Sequence, residues 1–195
     1  MKTRIRALFG AVALGAALAL NACSSSADHA QPQGSATTAD HGATEQSDHA
    51  GMDHPADGGP VPSGMKEAAD PTYAKGSQVV LTADHMDGME GATATIVGAY
   101  DTYTYAVDYT PTTGGDLVKD HRWVVQEELQ DPGSERLPDG SEVTLTAGHM
   151  DGMDSAKATI ASSTDETVYV VDYEAHGMKM TNHKWVTESE IKPAS

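Results

Sequence analysis

The sequence predicts an all-β protein built from two tandem copies of one small barrel, set behind a signal peptide and a disordered linker. Three observations carry this. A segment beginning at Gly76 returns from Gly140 with matched residues, the mark of an internal duplication. Within each copy, apolar and polar residues alternate at period two, as half-buried antiparallel strands require. No stretch sustains helical spacing.

Four short strands are read in each copy. The first sets Val79 and Leu81 on one face, matched by Val143 and Leu145, while Val80 against Thr144 shows the opposite face free to vary. The second alternates Ala92, Ala94 and Ile96, matched by Ala156, Ala158 and Ile160, with Thr93 and Lys157 outward. The third alternates Tyr105, Val107 and Tyr109, matched by Tyr169, Val171 and Tyr173, with Asp108 and Asp172 outward. The fourth runs from His121 to Val125, matched by His183 to Thr187. Past the third strand the second copy is slightly shorter. Short strands in a module of about fifty residues imply a small curled sheet, and an SH3-like barrel is the expected form. The strand order is similar to the KOW-like version of that fold, an analogy that carries no function. One such barrel has little core, so the copies are expected to pack on each other through a connector at 130–139.

The N-terminus has its own logic. Lys2, Arg4 and Arg6 precede an apolar run from Ala7 to Leu20. That run is short for a membrane span, which needs about 20 residues, and reads as a signal peptide. It closes on Leu20-Asn21-Ala22-Cys23, which resembles the bacterial lipobox. The resemblance implies that Cys23 carries fatty-acyl (palmitate) chains and becomes the mature N-terminus. The expected organisation is a lipoprotein signal peptide at 1–22, a disordered His/Asp-rich linker at 23–72, and β repeats at 73–131 and 137–195. The protein is then held by lipid at the extracytoplasmic face of the cell membrane. The linker lacks Leu, Ile and aromatic residues over most of its length and cannot bury enough apolar area to offset chain entropy. It repeats Asp28-His29, Asp40-His41, Asp48-His49 and Met52-Asp53-His54, a pattern suited to loose metal collection.

Composition narrows the function. With 29 Asp and Glu against 12 Lys and Arg, the formal charge is −17, which excludes nucleic acid and disfavours anionic lipid surfaces. A single Cys excludes an intrachain disulfide and a cysteine-rich metal cluster. Nine His and nine Met against one Phe point to ligand chemistry rather than an aromatic core.

That chemistry concentrates in one loop. His85-Met86-Asp87-Gly88-Met89 returns as His149-Met150-Asp151-Gly152-Met153, joining strands one and two of each copy. Imidazole with thioether is a soft to borderline donor set that suits copper, above all Cu(I). The blander reading makes the methionines gap-fillers and the histidines surface residues. The fourth donor is expected from the same copy: His121 for the first site and His183 for the second, each sharing a face with Trp123 or Trp185 at period two. Alternatively each imidazole stacks on its tryptophan. Copy two adds His176, Met178 and Met180, which lie on one side if extended and offer an extra site or a second wall. Asp87, Glu90, Asp151 and Asp154 flank the loops as hard donors, but calcium and magnesium rank below copper here.

The runs from His85 to Ala92, from Tyr105 to Gly115 and from His121 to Val124 resemble the YdhK-like family of bacterial lipoproteins, which includes the CopL copper-resistance lipoproteins. The resemblance covers roughly 75–191. It implies a surface-exposed copper-binding lipoprotein that protects against excess copper. Copy two departs from the pattern at Ser155, where copy one has Gly91, and from Glu174 to Met180. The expected function is sequestration of Cu(I), and of Cu(II) through the histidines, with copper ions as partners and the lipid anchor as the only membrane contact. Two alternatives stand beside it: a tandem SH3-like module docking on cell wall or protein, and a chaperone passing copper to a membrane pump or multicopper oxidase. An enzyme is not expected, since no Gly-x-Ser-x-Gly, phosphate-binding glycine loop or HExxH occurs.

Overall fold

The structure, a computed structural model, describes residues 55–194. The expected signal peptide, Cys23, and the motifs at His29, His41, His49, Met52 and His54 lie outside the described residues.

The ten strands are β1 (Lys66–Glu67), β2 (Gln78–Leu81), β3 (Thr93–Asp101), β4 (Thr104–Tyr109), β5 (Val118–Val125), β6 (Glu142–Thr144), β7 (Lys157–Thr164), β8 (Val168–Ala175), β9 (Met178–Thr187) and β10 (Ile191–Pro193). All eight strands read from alternation are present. In β3 Ala94 and Ile96 are buried and Thr93 is exposed, so the inward and outward faces are those the sequence predicts. The strands β1 and β10 have no signal of their own, each being too short to alternate.

The all-β class and the duplication stand, but the pairing crosses the repeats. One sheet runs β10-β2-β3-β8-β9, with β1 also on β3, and the other runs β5-β4-β7-β6. Thus the first half of one repeat pairs with the second half of the other: Ile96 faces Val171 across β3 and β8, and Val107 faces Ile160 across β4 and β7. The exchange is pseudo-symmetric to its ends, because Ile191 pairs Leu81 just as Leu129 pairs Leu145. Each sheet therefore closes its own core with residues of both repeats. Tyr105, Val107 and Tyr109 pack with Leu145, Met153 and Ile160, and Val79, Leu81 and Ile96 pack with Tyr169, Val171 and Tyr173. A third cluster, centred on Trp185 with Val125, Val168 and Val170, joins the two sheets. It also explains why β8 is buried on both faces, Val168 and Val170 included. At about 1.5–3 kcal/mol for each fully buried aliphatic side chain, this shared core supplies what a lone repeat lacks.

The linker needs one correction. Residues 55–72 are not a loose spacer. Thr181 donates to the Ala56 carbonyl (2.8 Å), Gly58 donates to the Thr181 carbonyl (2.9 Å), and Lys184 Nζ reaches the Pro60 carbonyl (2.9 Å). Val61 and Met65 pack on the Trp185 cluster, and Lys66 pairs with Asp101. The segment borrows its core from β9 and β3, which a reading of its own composition misses.

Candidate functional site

Each His-Met loop is a tight turn. Met89 N–H donates to the Met86 carbonyl (3.1 Å) and Met153 N–H to that of Met150 (3.2 Å). Gly88 (φ +76°) and Gly152 (φ +73°) take the left-handed backbone that the turn requires. Ser155 adopts φ +64° where Gly91 has +80°, so the departure in copy two keeps the backbone path.

The turn separates its two thioethers. Met89 and Met153 are fully buried in the apolar cores and are packing residues. The sequence reading counts them as ligands; the structure places both among the aliphatic and tyrosine side chains of the cores. Met86 and Met150 remain beside the histidines, each sulfur accepting a tyrosine hydroxyl at 3.6 Å, from Tyr173 and Tyr109 respectively. Burial raises both phenols, Tyr173 to about 12, so they stay protonated donors.

The imidazoles are buried and oriented. His85 Nε2 lies 2.6 Å from Glu190 Oε1, and His149 Nε2 lies 2.7 Å from Glu128 Oε1. Each carboxylate also accepts a tryptophan from the opposite sheet, Trp123 on Glu190 and Trp185 on Glu128, both at 2.9 Å. A backbone amide completes each cradle: Thr187 for Glu190 (3.0 Å) and Val125 for Glu128 (3.2 Å). Burial alone raises the two carboxyls; the histidine, tryptophan and amide donors outweigh it and hold both below the ordinary value. Sequence reasoning missed Glu128 and Glu190. Their signal was a glutamate at the same spacing after Trp123 and Trp185, just beyond the strand it seemed to end.

The fourth-donor pairing is corrected by the strand exchange. His121 sits against His149 of the other repeat, ring centroids 6.1 Å apart, and against Tyr109 at 5.7 Å. His183 packs on Tyr173 at 5.4 Å, the tyrosine whose hydroxyl reaches Met86. His149, Met150 and His121 thus gather around Tyr109, while Met86, next to His85 in its loop, and His183 meet on Tyr173. The β4–β5 register shifts between Tyr105 and Val107, which breaks the strict period-two alternation between His121 and Trp123 that the sequence predicts.

The copy-two triad does not form. His176 and Gly177 make a two-residue hairpin turn with φ +51° and +76°, Met178 is 63% exposed, and Met180 is buried in the core. The turn reverses the chain inside the supposed strand. His176 alone approaches a loop, its Nε2 3.5 Å from Asp87 Oδ2. Asp87, Glu90, Asp151 and Asp154 are exposed and contribute nothing inward. Among the described residues no three His, Cys, Asp or Glu side chains are grouped to hold a metal ion.

A His-Met-His set is a different matter. A ligating histidine commonly donates its other ring N–H to a carboxylate, which fixes tautomer and orientation. Glu190 and Glu128 stand where such partners stand. With Nε2 so engaged, Nδ1 is the nitrogen left to bind, and His85 Nδ1 is buried with no hydrogen-bond partner. The residues fit a soft monovalent ion better than a hard divalent one.

The family model described as "Protein of unknown function (DUF1541)" matches this chain twice, over residues 75–126 and 139–188. The chain is 49% identical to the "Uncharacterized protein YdhK" of Bacillus subtilis (strain 168) over 150 residues, covering 76% of this chain and 73% of that protein. It is similar to the crystal structure of a DUF1541 family protein (YdhK) from Bacillus subtilis, with a TM-score of 0.69 and 50% identity, covering 70% of this chain and 94% of that one. The solution structure of the YdhK C-terminal domain from the same species gives a TM-score of 0.59 at 52% identity, covering 62% and 92% respectively.

Proposed function

This chain belongs to the DUF1541 family, and we propose that it is an extracytoplasmic, lipid-anchored protein that binds and sequesters copper. The ion is Cu(I), held in two sites, one of His149, Met150 and His121 and the other of His85, Met86 and His183. The observation that carries the reading is His85 Nδ1: a buried imidazole nitrogen without a hydrogen-bond partner, on a ring whose other nitrogen is fixed by a carboxylate. Leaving such an atom unsatisfied costs about 1–3 kcal/mol unless a ligand takes it. A soft cation beside the Met86 sulfur removes that cost.

Burial suits retention. Thioether and imidazole donors hold Cu(I) without a thiolate, which oxidises readily outside the cell. No redox cycle is needed, so the protein acts as a binder rather than an enzyme and serves copper resistance by lowering free copper. The membrane contact is made by acyl chains on Cys23; among the described residues no helix is long and apolar enough to cross a membrane.

The test is a Cu(I) titration of the mature protein against a chromogenic chelator. Wild type retains two equivalents. Replacing His85 and Met86 with alanine removes one, and replacing His149 and Met150 removes the other. Unchanged stoichiometry in both variants refutes the sites.

A further inference from the structure

The two sites have unlike mouths. At the His149 site the turn after β4 lies across the loop. Thr112 donates to the Gly152 carbonyl through its N–H (2.8 Å) and its hydroxyl (3.1 Å). Pro111 and Thr113 close so tightly on Gly152 that an added methyl group would stand 2.9 and 2.5 Å from them. Thr112 and Thr113, together with Pro55 and the loop, line a cavity of ≈ 450 Å³. Apart from the site's own His149 and Met150, that lining offers no imidazole, thioether or thiolate.

At the His85 site the same place is taken by His176. A methyl group on Gly88 would stand 2.5 Å from His176 Nε2, as one on Gly152 would from Thr113 Oγ1. Yet His176 is not pinned: its side chain is 60% exposed and its contact is the 96% exposed Asp87. Exposed Met178 follows at the start of β9, so among the described residues donors of the right softness continue outward from this mouth and not from the other.

Resting on the copper reading above, we propose that His176 is an additional copper donor at the mouth of the His85–Met86 site, through which that site exchanges its ion with an external acceptor. The His149 site, under its hydrogen-bonded strap, is the holding site. Cu(I) changes partners most easily when the incoming donor binds before the outgoing one leaves. An imidazole already over the loop supplies that donor at high local concentration. In the step a copper–nitrogen bond to neutral His176 forms and a bond to an inner donor breaks. The oxidation state is unchanged, and the Asp87 carboxylate offsets the cation's charge as it moves outward.

The test uses the full mature chain loaded with Cu(I), transferred to excess chromogenic chelator and followed in time. Wild type releases copper in a fast and a slow phase of equal amplitude. His176→Asn keeps the left-handed turn, since asparagine tolerates positive φ. It slows the fast phase by roughly tenfold or more, the loss of one donor held nearby. Total copper and the circular dichroism spectrum stay unchanged. Thr113→His does the reverse and speeds the slow phase. If His176→Asn leaves both phases as they were, or wild type shows a single phase, the exchange role of His176 is overturned while the copper sites stand. If wild type retains no copper at all, the proposed function falls and this inference with it.

Discussion

The glutamates give the sharpest test of the architecture. Glu128 has 4% of its side chain exposed and accepts His149, Trp185 and the Val125 amide. In Glu128→Gln the charge is gone, and the new amide NH2 turns a donor toward either the imidazole or the indole. Loss of one hydrogen bond to a charged group sets a floor of about 1.5–3 kcal/mol. Breaking a buried pair from one side sets a ceiling of about 3–5 kcal/mol. We expect a loss near 3 kcal/mol. Glu190 makes the same contacts with 15% of its side chain exposed, and Thr187 adds a hydroxyl donor at 3.0 Å. Water reaches it, so Glu190→Gln costs less, about 1.5–2 kcal/mol. Urea unfolding of the metal-free chain, read by tryptophan fluorescence, measures both; the urea slope should stay constant. A Glu128→Gln loss below about 0.5 kcal/mol, or a larger loss for Glu190→Gln, refutes the cradle as described.

Acid should act through the same carboxyls. Both are held below their ordinary value of 4.5, so the stability they contribute is fully present above that pH and is lost as pH falls through the folded values. The urea midpoint should drop below about pH 4.5 in wild type and change less in the double glutamine variant; an equal drop contradicts the assignment. Met89→Ala and Met153→Ala should each cost about 2–5 kcal/mol as core truncations while leaving copper stoichiometry intact. Loss of an ion in either one, with the fold retained, would return those sulfurs to the site. Gly88→Ala and Gly152→Ala share a left-handed penalty of about 1–2 kcal/mol. Gly152→Ala should melt lower, because its neighbour is a pinned strap whereas exposed His176 can rotate away.

The strands were legible because alternation is local: Ala94 and Ile96, or Tyr105 and Val107, declare their face without reference to the partner. What they pair with is not local. Duplicated halves are by construction interchangeable, so β3 can close on β8 as well as on a strand of its own repeat, and nothing in residues 76–125 says which. The same blindness misassigned His121, which sequence places with His85 and the fold places with His149. The spacing of Met86 and Met89 marked both as donors, whereas a turn with Gly88 at positive φ sends one sulfur inward. Likewise Val61 and Met65 look like stray apolar residues until the Trp185 cluster supplies their core.

The central claim, that each copper site is built from both repeats, is tested by counting ions in paired histidine variants. His121→Ala with His149→Ala should empty one site and leave one Cu(I) per chain. His121→Ala with His85→Ala should empty both and leave none. The opposite pattern, one ion kept by the second pair and none by the first, would mean that each repeat holds its own metal and that the cross-repeat sites do not exist.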